Sequence, residues 1–347
     1  MAPLIVVLAG VLTQAARGDA LPVALELAAY EVHVLDPLFA RVTVTNTKER
    51  RVPLPTDLFN TAQYTLLRLT PPYRYVYEFT SEHVTGTPFF VTLDPQQTMT
   101  LDYEILELPA VDQLQHKFWR EIGKPADDSI VARLFCFPQN EPPVPVRAEA
   151  SRSIEILERG AEEMEFLREL CAESAKRDQE NRGHDDWREL SSTPVHFGLK
   201  RFRSDRDLVE KLLAYEEHLS PGSLRDVVHV VRVTGEIDGS RDDPQREAMV
   251  EGLLEWLDTL PEIERHCLAM SIISWATSRS RGDEPPFHSL VYGAAQRLPE
   301  QYHPVGDLPK GLVHPSGYRA YRLRQYENNH PEFQAYLKTR SDPYLEN

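Results

Sequence analysis

The chain has 347 residues, 41% of them apolar, and 54 acidic side chains against 38 basic ones give a formal charge of −16. The length exceeds one typical domain and the apolar share is ample for packed cores. A surplus of acids this large works against binding to nucleic acid or to anionic membrane surfaces.

Leu4 to Leu12 is an unbroken apolar run, too short to span a bilayer as a helix and of the length of a signal-peptide core. No Lys or Arg precedes it, so the terminal amine supplies the positive charge, and cleavage is expected after Gly18 or after Ala20. Residues 1–20 are read as the leader, and the mature protein is expected to be secreted or periplasmic. Cys136, Cys171 and Cys267 are odd in number, far apart and each set in an apolar pattern, so they do not form a disulfide framework. No second apolar segment is long enough to cross a membrane.

From residue 21 to 157 strand signals recur. Val23 to Leu27 opens the series and Glu31 to Val34 follows. In Leu38 to Leu54, Leu38, Ala40, Val42 and Val44 alternate with Phe39, Arg41, Thr43 and Thr45, which predicts a strand with the first set facing a core. Asn46 to Arg51 holds no apolar side chain, and Val52 and Leu54 resume the alternation, so the stretch predicts a hairpin. Further strands are expected at Gln63–Leu69, Arg74–Phe79, Phe89–Leu93, Thr98–Ile105, Ile130–Phe137 and Ser153–Leu157. Many short strands with turn residues between them imply an all-β sandwich.

The strand ending in Val42 to Thr47, the turn with Arg51-Val52 after it, and Leu93 to Leu101 together resemble immunoglobulin-like sandwich domains of bacterial exported proteins, including domains like the BsuPI proteinase inhibitor. The resemblance implies the fold over residues 21–157. The glycine-tyrosine turn often found before a penultimate strand in such domains is replaced by Asp127-Asp128-Ser129, so no inhibitory residue is carried over.

Residues 158–200 are expected to form an acidic helix and a linker. Met164, Leu167 and Leu170 share one side of a helical wheel, with Glu162, Glu163, Arg168 and Glu173 on the other. From 201 to 347 the pattern is helical. Leu208, Leu212, Tyr215 and Leu219 form a stripe, and Ser223 with Asp226 resembles a capping box opening a helix with Leu224, Val227, Val228 and Val231. Met249, Leu253, Trp256 and Leu257 lead to Pro261 and a helix carrying Ile263, Cys267, Met270 and Trp275. Prolines 221, 261, 299 and 331 recur near the length of stacked helical hairpins, so a helical hairpin array or bundle is expected. The predicted fold is thus α+β and multidomain: an N-terminal immunoglobulin-like sandwich and a C-terminal all-α domain.

No nucleophile elbow, HExxH pair, phosphate-binding loop or EF-hand loop is present. His288, His303 and His314, with Asp283, Glu284 and Asp307 nearby, supply metal-compatible ligand types, and His184 with Asp185 and Asp186 is a second such set. Neither matches a known ligand frame, and exposed loop histidines are the plainer account. Asp127-Asp128 and Asp242-Asp243 read as local caps and strand starts. Arg281-Gly282-Asp283 also occurs as Arg17-Gly18-Asp19, which shows how readily it arises by chance. Tyr73, Tyr75, Tyr77 and Phe79 alternate as a core-facing stripe, and Tyr318, Tyr321, Tyr326 and Tyr336 mix with arginines near the end. The expected function is non-catalytic: binding to another protein or an envelope component, with no cofactor and no nucleic acid. The alternatives are a metal-assisted hydrolase built on the histidines and a peptidase-inhibitor-like sandwich.

Overall fold

The computed structural model describes residues 22–33, 36–55, 62–68, 76–79, 90–106, 127–136, 146–157, 159–181, 206–240, 243–279, 287–298, 323 and 326–340. Ten strands come first: β1 (Val23–Leu27), β2 (Glu31–His33), β3 (Leu38–Thr45), β4 (Val52–Pro55), β5 (Ala62–Arg68), β6 (Val76–Phe79), β7 (Phe90–Leu93), β8 (Thr98–Leu106), β9 (Asp127–Cys136) and β10 (Val146–Leu157). Among the described residues seven α-helices follow, with a short 3-10 turn at Glu216–His218 between the second and third: α1 (Ala161–Asn181), α2 (Arg206–Ala214), α3 (Ser223–Gly239), α4 (Asp243–Leu257), α5 (Glu262–Arg279), α6 (His288–Gln296) and α7 (Phe333–Lys338).

The strands form three open sheets, ordered β1-β3-β8, β2-β10-β9-β5-β6 and β4-β7. In the first, β3 runs antiparallel to both neighbours, with Leu25 opposite Val42 and Arg41 opposite Asp102. In the second, β2 joins β10 in parallel and the other pairs are antiparallel.

The immunoglobulin-like, BsuPI-like sandwich does not describe this chain. Half of the reason lies on β3. The alternation assigned Phe39 and Arg41 to the face away from the core, yet Phe39 is buried and Arg41 is largely covered, because α5 lies against β3 and β8 on that face. A register shift between Leu38 and Phe39 accompanies the change. The other half is the core itself. Leu25, Leu27, Val32, Phe39 and Ala40 belong to one apolar cluster with residues of the helices, so the first sheet shares its core with helices rather than with a facing sheet alone. The fold class is corrected accordingly, from sandwich plus helical domain to open sheets with helices packed on one of them. The peptidase-inhibitor reading shared the sandwich premise.

The hairpin at 38–54 is corrected too. Both strands exist, but β3 pairs with β1 and β8 while β4 pairs with β7. Asn46, fully buried, redirects the chain: its Oδ1 accepts from Lys48 N at 2.9 Å and its Nδ2 donates to Arg50 O at 2.9 Å. Its own N–H donates to Gln97 O, and its carbonyl accepts from Gln96 N at 2.7 Å, where Gln96 sits at φ 66°. The turn is thereby sewn to the start of β8 rather than folded back on β3.

Among the helices α3 is buried on several sides, by Leu224, Val227, Val228, Val230, Val231, Val233 and Ile237, and it touches α2, α4 and α5. The buried hydroxyl of Thr234 donates from Oγ1 to Val230 O at 2.7 Å, so it is not stranded in the apolar surroundings. Below it, α5 buries Ile263, Leu268, Ile272, Ile273 and Trp275 and meets α6, while Phe166 of α1 stacks on Tyr215 at 3.9 Å. Among the described residues no helix is long and apolar enough to cross a membrane.

Candidate functional site

Two buried charged groups join the strands to the helices. The first lies where β3 and β8 meet α5. Arg41 donates from Nε to Asp102 Oδ1 at 2.7 Å and from Nη2 to Asp102 Oδ2 at 2.9 Å, a bidentate pair that follows from their facing register positions. Arg41 Nη2 also reaches Glu262 Oε1 at 2.8 Å, and His266 Nδ1 donates to Asp102 Oδ2 at 2.8 Å. Glu262 and His266 stand one helical turn apart on α5, so both look down on the same point of the sheet. The Asp102 bond, reinforced by Glu262, holds Arg41 well above its ordinary pKa against the cost of burial. In return Arg41 holds the Glu262 carboxyl below its ordinary range. Beside this site Thr43 faces Thr100 and Thr45 faces Thr98, hydroxyl to hydroxyl at 3.2 and 3.0 Å.

An Asp–His pair alone would suit general-base chemistry. Here the imidazole is buried, and its acid partner is shared with a guanidinium that neutralises it. The geometry is that of a clamp between sheet and helix.

The second group surrounds the start of α3. Asp36 Oδ1 accepts from Arg159 Nη2 at 2.5 Å and from Leu224 N at 3.1 Å, and Oδ2 accepts from His33 N at 2.9 Å. Arg159 Nη1 donates to Glu163 Oε1 at 2.5 Å, and Glu163 in turn accepts from Ser220 N and Ser220 Oγ. Arg159 and Glu163 are therefore buried, although the helical wheel had placed Glu163 on the outer face; the ion pair carries it inward. The capping-box reading is corrected here as well. Ser223 is the first helical residue, the N-cap is Gly222, and Asp36 from the β2–β3 connection supplies the side-chain acceptor for Leu224 N. Burial, with Asp36 adding repulsion, pushes the Asp226 carboxyl up to about 6, and burial with Asp226 adding repulsion pushes Glu264 up to about 8.

Of the histidine set proposed from the sequence, His288 opens α6, while His303 and His314 lie outside the described residues, as do Asp283, Glu284 and Asp307. His288 enters an aromatic cluster. Its Nδ1 lies 3.3 Å from Tyr326 Oη, and its ring meets Phe333 at 5.1 Å, Tyr336 at 5.6 Å and His330 at 6.2 Å. Burial lowers the His288 pKa and raises that of Tyr326. Among the described residues no group of three or more His, Cys, Asp or Glu could hold a metal ion.

His184 to Asp186, both Arg-Gly-Asp tripeptides, Asp242, Tyr73, Tyr75, Tyr318 and Tyr321 also lie outside the described residues. Asp127 and Asp128 begin β9, Asp243 begins α4, and Cys267 is a buried thiol on α5. Arg41, Asp102, His266, Asp36 and Glu264 are absent from the sequence-derived candidates. One signal marks two of them: Glu264 stands four residues before Leu268, and His266 three before Ala269, so each interrupts an apolar stripe of α5.

No family model matches the chain, and no curated protein matches it. Among solved structures it is similar to the β-glucosidase from Listeria innocua, in complexes with gluconolactone and with isofagomine. Each shows a TM-score of 0.23 and 12% identity over 39% of this chain and 16% of that one. The chain thus spans about a sixth of the length of those structures, and a likeness of this degree carries no argument about fold or activity.

Proposed function

We propose that this chain is an exported, non-catalytic protein that binds another protein or an envelope component through an acidic helical face. The observation that supports it is the outer side of α4, where Glu247, Glu251 and Glu255 recur every four residues and are all exposed, while Asp258 just beyond the helix is paired with Arg297. Like charges at this spacing cost a helix a few tenths of a kcal/mol per pair, on the order of 0.2–0.5. A basic partner surface would turn that cost into attraction and faster encounter. The inward-facing charges contribute nothing comparable, since Arg41, Asp102, Arg159 and Glu163 are engaged with one another. Export rests on the apolar run Leu4–Leu12 ahead of Gly18 and Ala20.

Affinity capture from the native compartment at two salt concentrations tests the proposal, with Glu251→Lys/Glu255→Lys as the comparison. The expected result is a partner retained at low salt, released at high salt, and lost from the double variant. A partner indifferent to both changes would refute the acidic face. Stoichiometric zinc in the purified protein would instead favour the hydrolase reading with His288, His303 and His314.

A further inference from the structure

Asp36, Asp226 and Glu264 bring three carboxyl groups from distant parts of the chain to the start of α3. Asp36 is firmly tied there, by Leu224 N, by Arg159 and by His33 N, and the His33 ring nitrogen Nδ1 lies 3.6 Å from it. It is also pressed on the main chain. Gly222 adopts φ 155°, and a Cβ there would stand 2.7 Å from Asp36 Oδ2. Glu264 is differently placed. It is 3% exposed, and its Oε1 is buried with no hydrogen-bond partner among the described residues.

The groups that face Glu264 are Asp226 and Ser223 on α3 and Asp36 on the β2–β3 connection. Ser223 bonds its carboxyl; the other two are acids. Arg225 acts on Asp226, while Arg159 is divided between Asp36 and Glu163 of α1. None of these cations pairs with Glu264. An ionised carboxylate in such a place is costly, whereas the protonated acid is neutral and brings no charge against Asp36.

We propose that Glu264 holds a proton whose loss loosens the docking of Asp36 on the start of α3, so that the joint between strands and helices is a proton-operated latch. Ionised Glu264 and Asp226 would repel the carboxylate that caps Leu224 and anchors Arg159. The linkage has a definite sign. The Glu264 carboxyl is raised from 4.5 to about 8 in the fold, so its contribution is fully present below pH 4.5 and lost as pH rises to 8. Asp226, raised to about 6, has finished titrating below that window's upper half. Between about pH 6 and 8 the latch therefore weakens roughly tenfold per pH unit through Glu264, and it levels off above.

The test is hydrogen exchange at the Leu224 amide in the full chain, expressed as protection factors from pH 6 to 8, for the wild type and Glu264→Gln. The expected result is a wild-type protection that falls roughly tenfold per pH unit relative to the variant. A constant ratio would overturn the latch. Carboxyl NMR titration of the wild type and Asp226→Asn keeps the test open if Glu264→Gln does not fold. Glu264 is expected to titrate near 8 in the wild type and lower once Asp226 is neutral; titration in the ordinary carboxylate range would equally overturn it.

Discussion

Asp102 is the side chain on which the clamp between sheet and α5 depends, because its carboxylate is fully buried and serves both Arg41 and His266. Asp102→Ala removes the buried carboxylate shared by the Arg41 guanidinium, 18% exposed, and the buried His266 imidazole, and leaves Arg41 with Glu262 at the surface. Breaking a buried pair by removing one partner costs about 3–5 kcal/mol. The variant is expected to lose stability of that order in urea denaturation, because Glu262, which already accepts from Arg41 Nη2 at 2.8 Å, is 57% exposed and does not replace the buried carboxylate. A loss below about 1 kcal/mol would mean the pair is effectively solvated. Two glycines offer a contrast of sign. On Gly252 of α4 a Cβ meets nothing within 4 Å, so Gly252→Ala is expected to stabilise the protein by about 0.5–1 kcal/mol through helix propensity. On Gly293 of α6 it would enter Leu254, whose Cδ1, Cδ2 and Cγ all crowd the site, so swinging one methyl does not clear it. Overpacking of about 1–3 kcal/mol exceeds the propensity gain, and Gly293→Ala is expected to lower the denaturation midpoint.

At the scale of elements, α3 begins where a remote side chain lets it begin. Gly222 is extended at a φ that L-residues rarely adopt and lies against Asp36, so Gly222→Ala adds backbone strain to a clash with a carboxylate that three donors hold in place. The expected cost is about 1–3 kcal/mol, read from chemical denaturation, with reduced protection of the Leu224 amide. No local motif announces this arrangement, since Asp36 and Leu224 are 188 residues apart. The sequence carries elements better than their partners for the same reason. Alternation locates β1, β3, β8 and the stripes Leu208–Leu212 and Leu224–Val231 because burial on one face is a local pattern. Which strand lies beside β3, and whether a helix or a sheet covers Phe39 and Arg41, depends on contacts such as Arg41 with Glu262, 221 residues away. Polar residues fared worst. Glu163, Glu264 and His266 read as surface side chains by type, and only their place within apolar stripes hints that pairing has drawn them inside.

The whole molecule turns on how the strands and helices share a core. Phe39 of β3 is 2% exposed, belongs to the same apolar cluster as Ile272, Ile273 and Trp275 of α5, and lies on the strand against which α5 packs. If that cluster is one cooperative unit, damage in the strand must be felt in the helices. Truncating a buried Phe to Ala costs about 3–5 kcal/mol, part transfer and part cavity. In Phe39→Ala the far-ultraviolet signal, to which the described strands contribute little beside the helices, is therefore expected to unfold at a lower denaturant concentration than in the wild type. The tryptophan fluorescence, to which buried Trp275 contributes beside three other tryptophans, should shift by the same amount. Sheet-only unfolding would look different: the helical transition would keep its wild-type midpoint while the strand amides lost protection. That outcome would separate the strands from the helices energetically despite the Asp102 and Asp36 clamps. Coincident shifts would instead make β1, β3, β8 and α5 parts of a single folding unit, and would place both clamps inside it rather than at a hinge.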